Sequence, residues 1–174
     1  SDNQKKQQVT AILSEQEPPV IVFCNQKTTC DQIAKWLDSI GHPATVIHGS
    51  KTQEIRMQNL ASFKDGHVGI LVATDVVGRG IDISGVKLVI NYDVPSSIQR
   101  YTHRIGRTGR AGLKGVAVSL KAAPDTEIMY DLVEMLRESK QIVPMELARH
   151  PDAKIKPGAV GGKRRRDTVI HIRM

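Results

Sequence analysis

The sequence predicts an α/β domain of three layers, helices on both sides of a mostly parallel sheet, followed by an irregular basic C-terminal tail. Residues 20–24, 69–73, 86–91 and 115–120 are short, nearly continuous apolar runs. Strands covered on both faces read this way, whereas a strand with one wet face alternates. Between the runs, apolar residues recur at helical spacing, and strands alternating with helices imply βαβ crossovers.

The elements follow in order. Residues 3–16 form a polar helix with Val9, Ile12 and Leu13 on its apolar side, stopped by Pro18 and Pro19. After the 20–24 strand, residues 27–40 make a helix burying Ile33, Ala34, Trp36, Leu37 and Ile40, with Gly41 as its cap. Residues 44–47 are a short strand. The helix over 52–64 starts near Ser50 or Thr52 and ends at Gly66. Beyond the strands 69–73 and 86–91 lie a helix over 96–105, the strand 115–120 and a helix over 125–139 with Ile128, Leu132, Val133 and Leu136 aligned. From 142 onward prolines and glycines dissolve the pattern into a tail that is extended over the domain or partly disordered. The expected division is an N-terminal segment 1–17, a folded lobe 18–140 and the tail 141–174.

Size and composition narrow the function classes. At 174 residues the chain suits one domain with an appendage. Aromatic residues are only 3%, so the core is aliphatic and a surface of stacked aromatics for splayed bases is not expected. A net charge of +7 calls for a polyanionic partner. Cys24 and Cys30 have neither zinc-ligand nor redox-pair spacing and fit buried free thiols in a reducing compartment. His42, His67 and Met129 are ordinary surface or core residues, and no metal site is expected. No stretch approaches the roughly 20 apolar residues of a membrane span. The opening Ser1-Asp2-Asn3, without methionine, suggests a piece of a longer protein.

The most informative stretch is His103-Arg104-Ile105-Gly106-Arg107-Thr108-Gly109-Arg110. Arginine keeps its charge and presents a rigid fork of donors that fits phosphate oxygens, while glycine lets a phosphate approach the backbone. Arg107 and Arg110, three apart, can converge on one anion. A solvated basic turn is the competing reading, but Thr74-Asp75-Val76-Val77-Gly78-Arg79-Gly80-Ile81-Asp82 is a second Arg/Gly element directly after a strand. In a parallel sheet ligands collect at the carboxyl ends of the strands, where both elements fall.

Together these residues resemble the C-terminal RecA-like lobe of the DEAD-box RNA helicases of superfamily 2. The resemblance spans about residues 20–140. Residues 20–25 resemble motif IV, 48–56 motif IVa, 73–82 motif V and 103–110 motif VI. The resemblance implies that Arg107 and Arg110 reach the γ-phosphate of ATP, Arg110 as an arginine finger, a device worth about 10³–10⁵ in rate. It implies that Asp82 bonds the ribose, that Gly80 lies against the nucleotide and that His103 couples the nucleotide site to the partner lobe. Asn25, Gln26, Lys27, Gln53, Arg56, Thr74 and Arg79 would line an RNA face that grips phosphates and 2′-hydroxyls, which position without reading sequence.

Two positions depart from the family pattern. Ser50 stands where motif IVa usually has aspartate, so that role does not carry over; Gln26 stands where motif IV often has threonine or serine, and its amide would take that place. The chain contains no G-x-x-x-x-G-K-[ST] loop and no Asp-Glu-Ala-Asp sequence. The resemblance therefore implies half of a composite site, with ATP and Mg²⁺ bound mainly by an N-terminal RecA-like lobe and this fragment inactive alone. His150-Pro151-Asp152-Ala153-Lys154-Ile155-Lys156-Pro157-Gly158, with the 163–166 basic cluster, resembles the tail of a spliceosomal subfamily acting at the 5′ splice site. That implies a nuclear protein with RNA and spliceosomal proteins as partners and no membrane. The basic cluster reads equally as a solvated charge run or import patch. The competing class is a non-catalytic RNA-binding scaffold, which Arg107, Arg110 and Asp82 argue against.

Overall fold

A computed structural model describes residues 1–78, 83–109, 115–121, 128–156 and 168–173. The strands are β1 (Val20–Phe23), β2 (Ala44–Ile47), β3 (Ile70–Ala73), β4 (Leu88–Asn91), β5 (Val116–Lys121) and β6 (Thr168–Arg173). They form one sheet in the order β2-β3-β1-β4-β5-β6. The first five are mutually parallel, and β6 joins β5 antiparallel. The helices are α1 (Asp2–Glu15), α2 (Lys27–Ser39), α3 (Gln53–Lys64), α4 (Ile98–Ile105), α5 (Met129–Glu138) and α6 (Met145–Arg149), with 3₁₀ turns at Asp75–Gly78 and Pro151–Lys154.

Side chains alternate across a strand, so the apolar runs feed two cores at once. Val20 and Val22 face a cluster with Val9, Ile12 and Leu13 of α1 and Ile33 and Leu37 of α2. Ile21 and Phe23 face the opposite cluster, with Leu60 and Phe63 of α3, Tyr101 and Ile105 of α4, and Leu132 and Leu136 of α5. The three-layer expectation holds for this reason. The predicted elements are present, each end within a few residues. Val86 lies outside β4 and bridges to Thr108 instead, and the first residues of the helix expected over 125–139 lie outside the described residues. Ile40, expected on the buried side of its helix, is exposed at the α2 C-terminus.

Within the C-terminal region two short elements pack onto the domain. Leu147 of α6 and Ala153 of the second 3₁₀ turn are buried in the same core as α5. The His150 Nδ1 accepts from the Asp152 backbone N–H at 3.3 Å and so caps that turn. Residues 145–154 thus belong to the packed domain, and 168–173 extend the sheet. Apolar residues at 143 and 147, and the β-branched run at 168–170, carried that signal; the surrounding prolines and glycines masked it. The basic cluster 163–166 lies outside the described residues.

Candidate nucleotide and nucleic-acid site

Within the parallel part of the sheet, β1 sends its connection toward β2, while β4 sends its connection toward β5 on the opposite side. That reversal opens a crevice at the carboxyl ends of β1 and β4, where ligands of such sheets usually bind. Here Arg104 fills it. The helical repeat of α4 turns Tyr101, Arg104 and Ile105 inward, and Arg104 is 1% exposed. Its Nε donates to Asp75 Oδ1 at 2.6 Å and its Nη2 to Asp75 Oδ2 at 3.0 Å. Nη2 also donates to Asn25 Oδ1 at 2.8 Å, and Nη1 to the Asp93 carbonyl at 2.8 Å and Asn91 Oδ1 at 3.4 Å. The guanidinium lies over the Phe23 ring, 5.2 Å from its centroid. Arg104, which lies in the same run as Arg107 and Arg110, is therefore an internal tie. A buried guanidinium is tolerated only when its donors are paired, and Asp75 supplies the paired charge.

The outer side of α4 serves the solvent. His103 and Arg107 line a shallow cleft of about 40 Å³ with Phe23, Asp75, Arg100 and Arg104. Arg107 is held by its own backbone neighbours: Nε donates to the His103 carbonyl at 3.2 Å and Nη1 to the Ile83 carbonyl at 3.4 Å. Thr108 Oγ1 donates to the Val86 carbonyl at 2.5 Å. These contacts join residues 83–86 to the described part of the 103–110 run. Gly109 adopts φ +68°, the left-handed region that glycine enters without strain. Asp82, Gly80, Arg79 and Arg110 lie outside the described residues.

The other predicted residues sit at the carboxyl ends of the adjacent strands β2, β3 and β1. Gln26 and Lys27 are exposed where β1 turns into α2. Lys27 Nζ donates to Ser50 Oγ at 2.8 Å. Thr52 caps α3 by accepting from the Ile55 N–H at 3.3 Å, which sets Gln53 in the first turn. Thr74 is buried just past β3. Arg56 Nε is buried with no hydrogen-bond partner, the sole such side-chain atom among the described residues. Native proteins rarely leave a buried donor unpaired; water, an ion or a ligand completes it. Asn25 behaves differently from its neighbours. Its amide donates to the Val94 carbonyl at 2.9 Å and accepts from Arg104, so both ends are engaged internally.

Beside this face, the Ser50 N–H donates to His48 Nδ1 at 3.3 Å, so Nδ1 carries no proton and Nε2 donates to Asp31 at 3.1 Å. Burial raises the Asp31 carboxyl, but hydrogen bonds from Lys51 and His48 outweigh it and hold the group below its ordinary value. His48 and Asp31 thus brace the turn that carries Lys27's partner. Sequence reasoning did not single out Arg104's internal role, Asp31 or Asp93; an isolated carboxylate in sequence carries no sign of its partner.

Fold and site together define a helicase C-terminal lobe. The chain belongs to the family of the helicase conserved C-terminal domain, whose model matches residues 4–112. It is 48% identical over 170 residues to the pre-mRNA-splicing ATP-dependent RNA helicase PRP28 of Chaetomium globosum, covering 96% of this chain and 24% of that protein. To the probable ATP-dependent RNA helicase DDX23 of Homo sapiens it is 47% identical over 172 residues, covering 98% of this chain and 21% of the other. The chain therefore spans about a quarter or less of these relatives. The crystal structure of Prp28 from Chaetomium thermophilum bound to ADP matches with TM-score 0.77 and 46% identity, over 86% of this chain and 38% of that one. The C-terminal domain of the DEAD-box protein Dbp5 matches with TM-score 0.68 and 31% identity, over 78% and 80%.

Proposed function

We propose that this chain is the C-terminal lobe of an RNA-stimulated ATPase of the DEAD-box class, which remodels RNA duplexes or RNA–protein contacts during pre-mRNA splicing in the nucleus. The observation that carries the reading is the division of labour at the strand ends. Arg56 keeps a buried unpaired donor on one side, and Arg107 and His103 line a cleft on the other.

The donor chemistry fits part of an ATP site. Arg107, Arg100 and His103 suit phosphate oxygens. They do not suit a divalent cation, because the one carboxylate in the cleft, Asp75, is bound to Arg104. Mg²⁺ would then be held by the N-terminal lobe. ATP bound there supplies a γ-phosphate carrying charge that develops on transfer. Arg107 and Arg110 would spread that charge, Asp82 and Gly80 would meet the ribose side, and His103 would contact the other lobe. Gln26, Lys27, Gln53, Arg56, Thr74 and Arg79 would hold the RNA backbone, with Asn25 shaping the turn. Ligands bridging two lobes favour the closed arrangement by their differential affinity for it.

The test is ATPase activity of the full-length protein with and without RNA, beside Arg110→Ala. The reading expects RNA-stimulated turnover that Arg110→Ala abolishes with the thermal midpoint unchanged. Turnover near wild type in the variant removes the arginine-finger assignment, and absence of turnover in the full-length protein favours a non-catalytic scaffold.

A further inference from the structure

The first turn of α1 is wired to the candidate RNA turn by contacts that no motif accounts for. Lys5 Nζ donates to the Tyr92 carbonyl at 2.7 Å and pairs with Asp93 Oδ1 at 3.0 Å. Its side chain is 13% exposed and lies over the Tyr92 ring, 4.9 Å from the centroid. The Tyr92 hydroxyl donates to Asp2, which its hydrogen bond holds below the ordinary carboxylate value. The second oxygen of Asp93 accepts the Asn25 backbone N–H at 3.1 Å. The Asp93 carbonyl and the Asn25 side chain are both Arg104 acceptors. A continuous polar path therefore runs from α1 through Lys5 and Asp93 to the Asn25 turn and Arg104.

We propose that Lys5 is a positioning residue: it sets the Asp93 carboxylate, which fixes the 25–27 turn for RNA, and so makes α1 a sensor of the chain that leads into it. The physical basis is economy of partners. Asp93 has two carboxylate oxygens; one is committed to α1 and the other to the turn. If α1 shifts, Asp93 loses its cation and rotates to seek another, and the Asn25 N–H loses its acceptor. The hydrophobic docking of α1 through Val9, Ile12 and Leu13 continues the same face of the helix, further along it than Lys5. Val9 takes no part in these hydrogen bonds and ion pairs, so its truncation perturbs the packing of α1 while leaving the polar path its partners. The proposal rests on the reading that the 25–27 turn faces RNA.

The experiment uses the full-length protein with Lys5→Met, Asp93→Asn, the double variant, Val9→Ala and Lys27→Ala. The RNA concentration for half-maximal ATPase stimulation, the KM for ATP, kcat and the thermal midpoint are measured for each. Lys5→Met is expected to raise half-saturating RNA about five- to ten-fold, with KM for ATP and kcat within about twofold of wild type. Asp93→Asn should do the same, and the double variant no more than either alone, the signature of one shared path. Val9→Ala should lower the thermal midpoint while leaving half-saturating RNA in place. The proposal falls if Lys5→Met leaves half-saturating RNA unchanged, if the two single effects multiply, or if Val9→Ala reproduces the shift. When Lys27→Ala raises half-saturating RNA and Lys5→Met does not, the RNA face stands and the relay alone fails. When Lys27→Ala has no effect either, the RNA-face reading fails and takes the relay with it.

Discussion

Arg104→Met removes a guanidinium of similar length while keeping an apolar stem over Phe23. Five hydrogen bonds vanish, and Asp75, Asn91, Asn25 and the Asp93 carbonyl lose a common donor. Breaking a buried ion pair from one side costs about 3–5 kcal/mol, because the abandoned charge keeps its desolvation penalty. The Asp75 side chain is 32% exposed, so water repays part of that, and a loss of about 3 kcal/mol follows. For a chain of this size that is a fall of about 6–12 °C in the thermal midpoint. Arg104→Lys should lose most of the same stability despite keeping the charge, since an ammonium cannot reproduce the planar fork. Urea unfolding of Arg104→Met, Asp75→Asn and the double variant measures the coupling, expected to exceed about 1 kcal/mol. A loss below about 1 kcal/mol for Arg104→Met, or additivity with Asp75→Asn, refutes the hub.

Three further outcomes follow from other parts of the molecule. Arg56→Ala should weaken RNA binding equally across sequences and lower the salt dependence by about one phosphate contact, read from titrations at several salt concentrations; a sequence-selective loss counts against backbone gripping. Leu147→Ala should destabilise by about 2–5 kcal/mol in denaturant unfolding, because Leu147 is fully buried against the α5 core; a neutral result would return that segment to a loose tail. Burial pushes the Tyr101 hydroxyl up to about 12, with a hydrogen bond from Ser119 pulling slightly the other way. A raised acid is stabilising while it stays neutral, so that contribution is intact below about pH 10 and is lost as pH rises toward 12. Urea midpoints at pH 9 and 11 should fall less steeply for Tyr101→Phe than for the wild type, and equal slopes would contradict the assignment.

Periodicity determined most of what this chain is. Continuous apolar runs at β1, β3 and β4 require cover on both faces, and helical spacing between them supplies it, so a parallel α/β sheet was readable before any contact was known. The Arg/Gly composition of 103–110 and 73–82 suggested a phosphate-binding edge, because arginine supplies the donors and glycine the close approach. What sequence could not rank was the arginines. Arg104 and Arg107 look alike in a string, but α4 turns one into the sheet crevice and the other toward the cleft, and only packing decides which charge meets Asp75 and which meets solvent. The internal bonds of Asn25 were hidden for the same reason: its partners lie 69 and 79 residues away, on elements that only the fold brings together. Residues 145–154 and β6 show the converse. The apolar residues of 145–154 were legible, yet the surrounding prolines and glycines hid the core that buries Leu147 and Ala153 and the partner that β6 finds in β5. Local pattern records what a segment can bury or donate, and the tertiary structure chooses the partner, since the energy of a buried charge or methyl depends on what lies across from it.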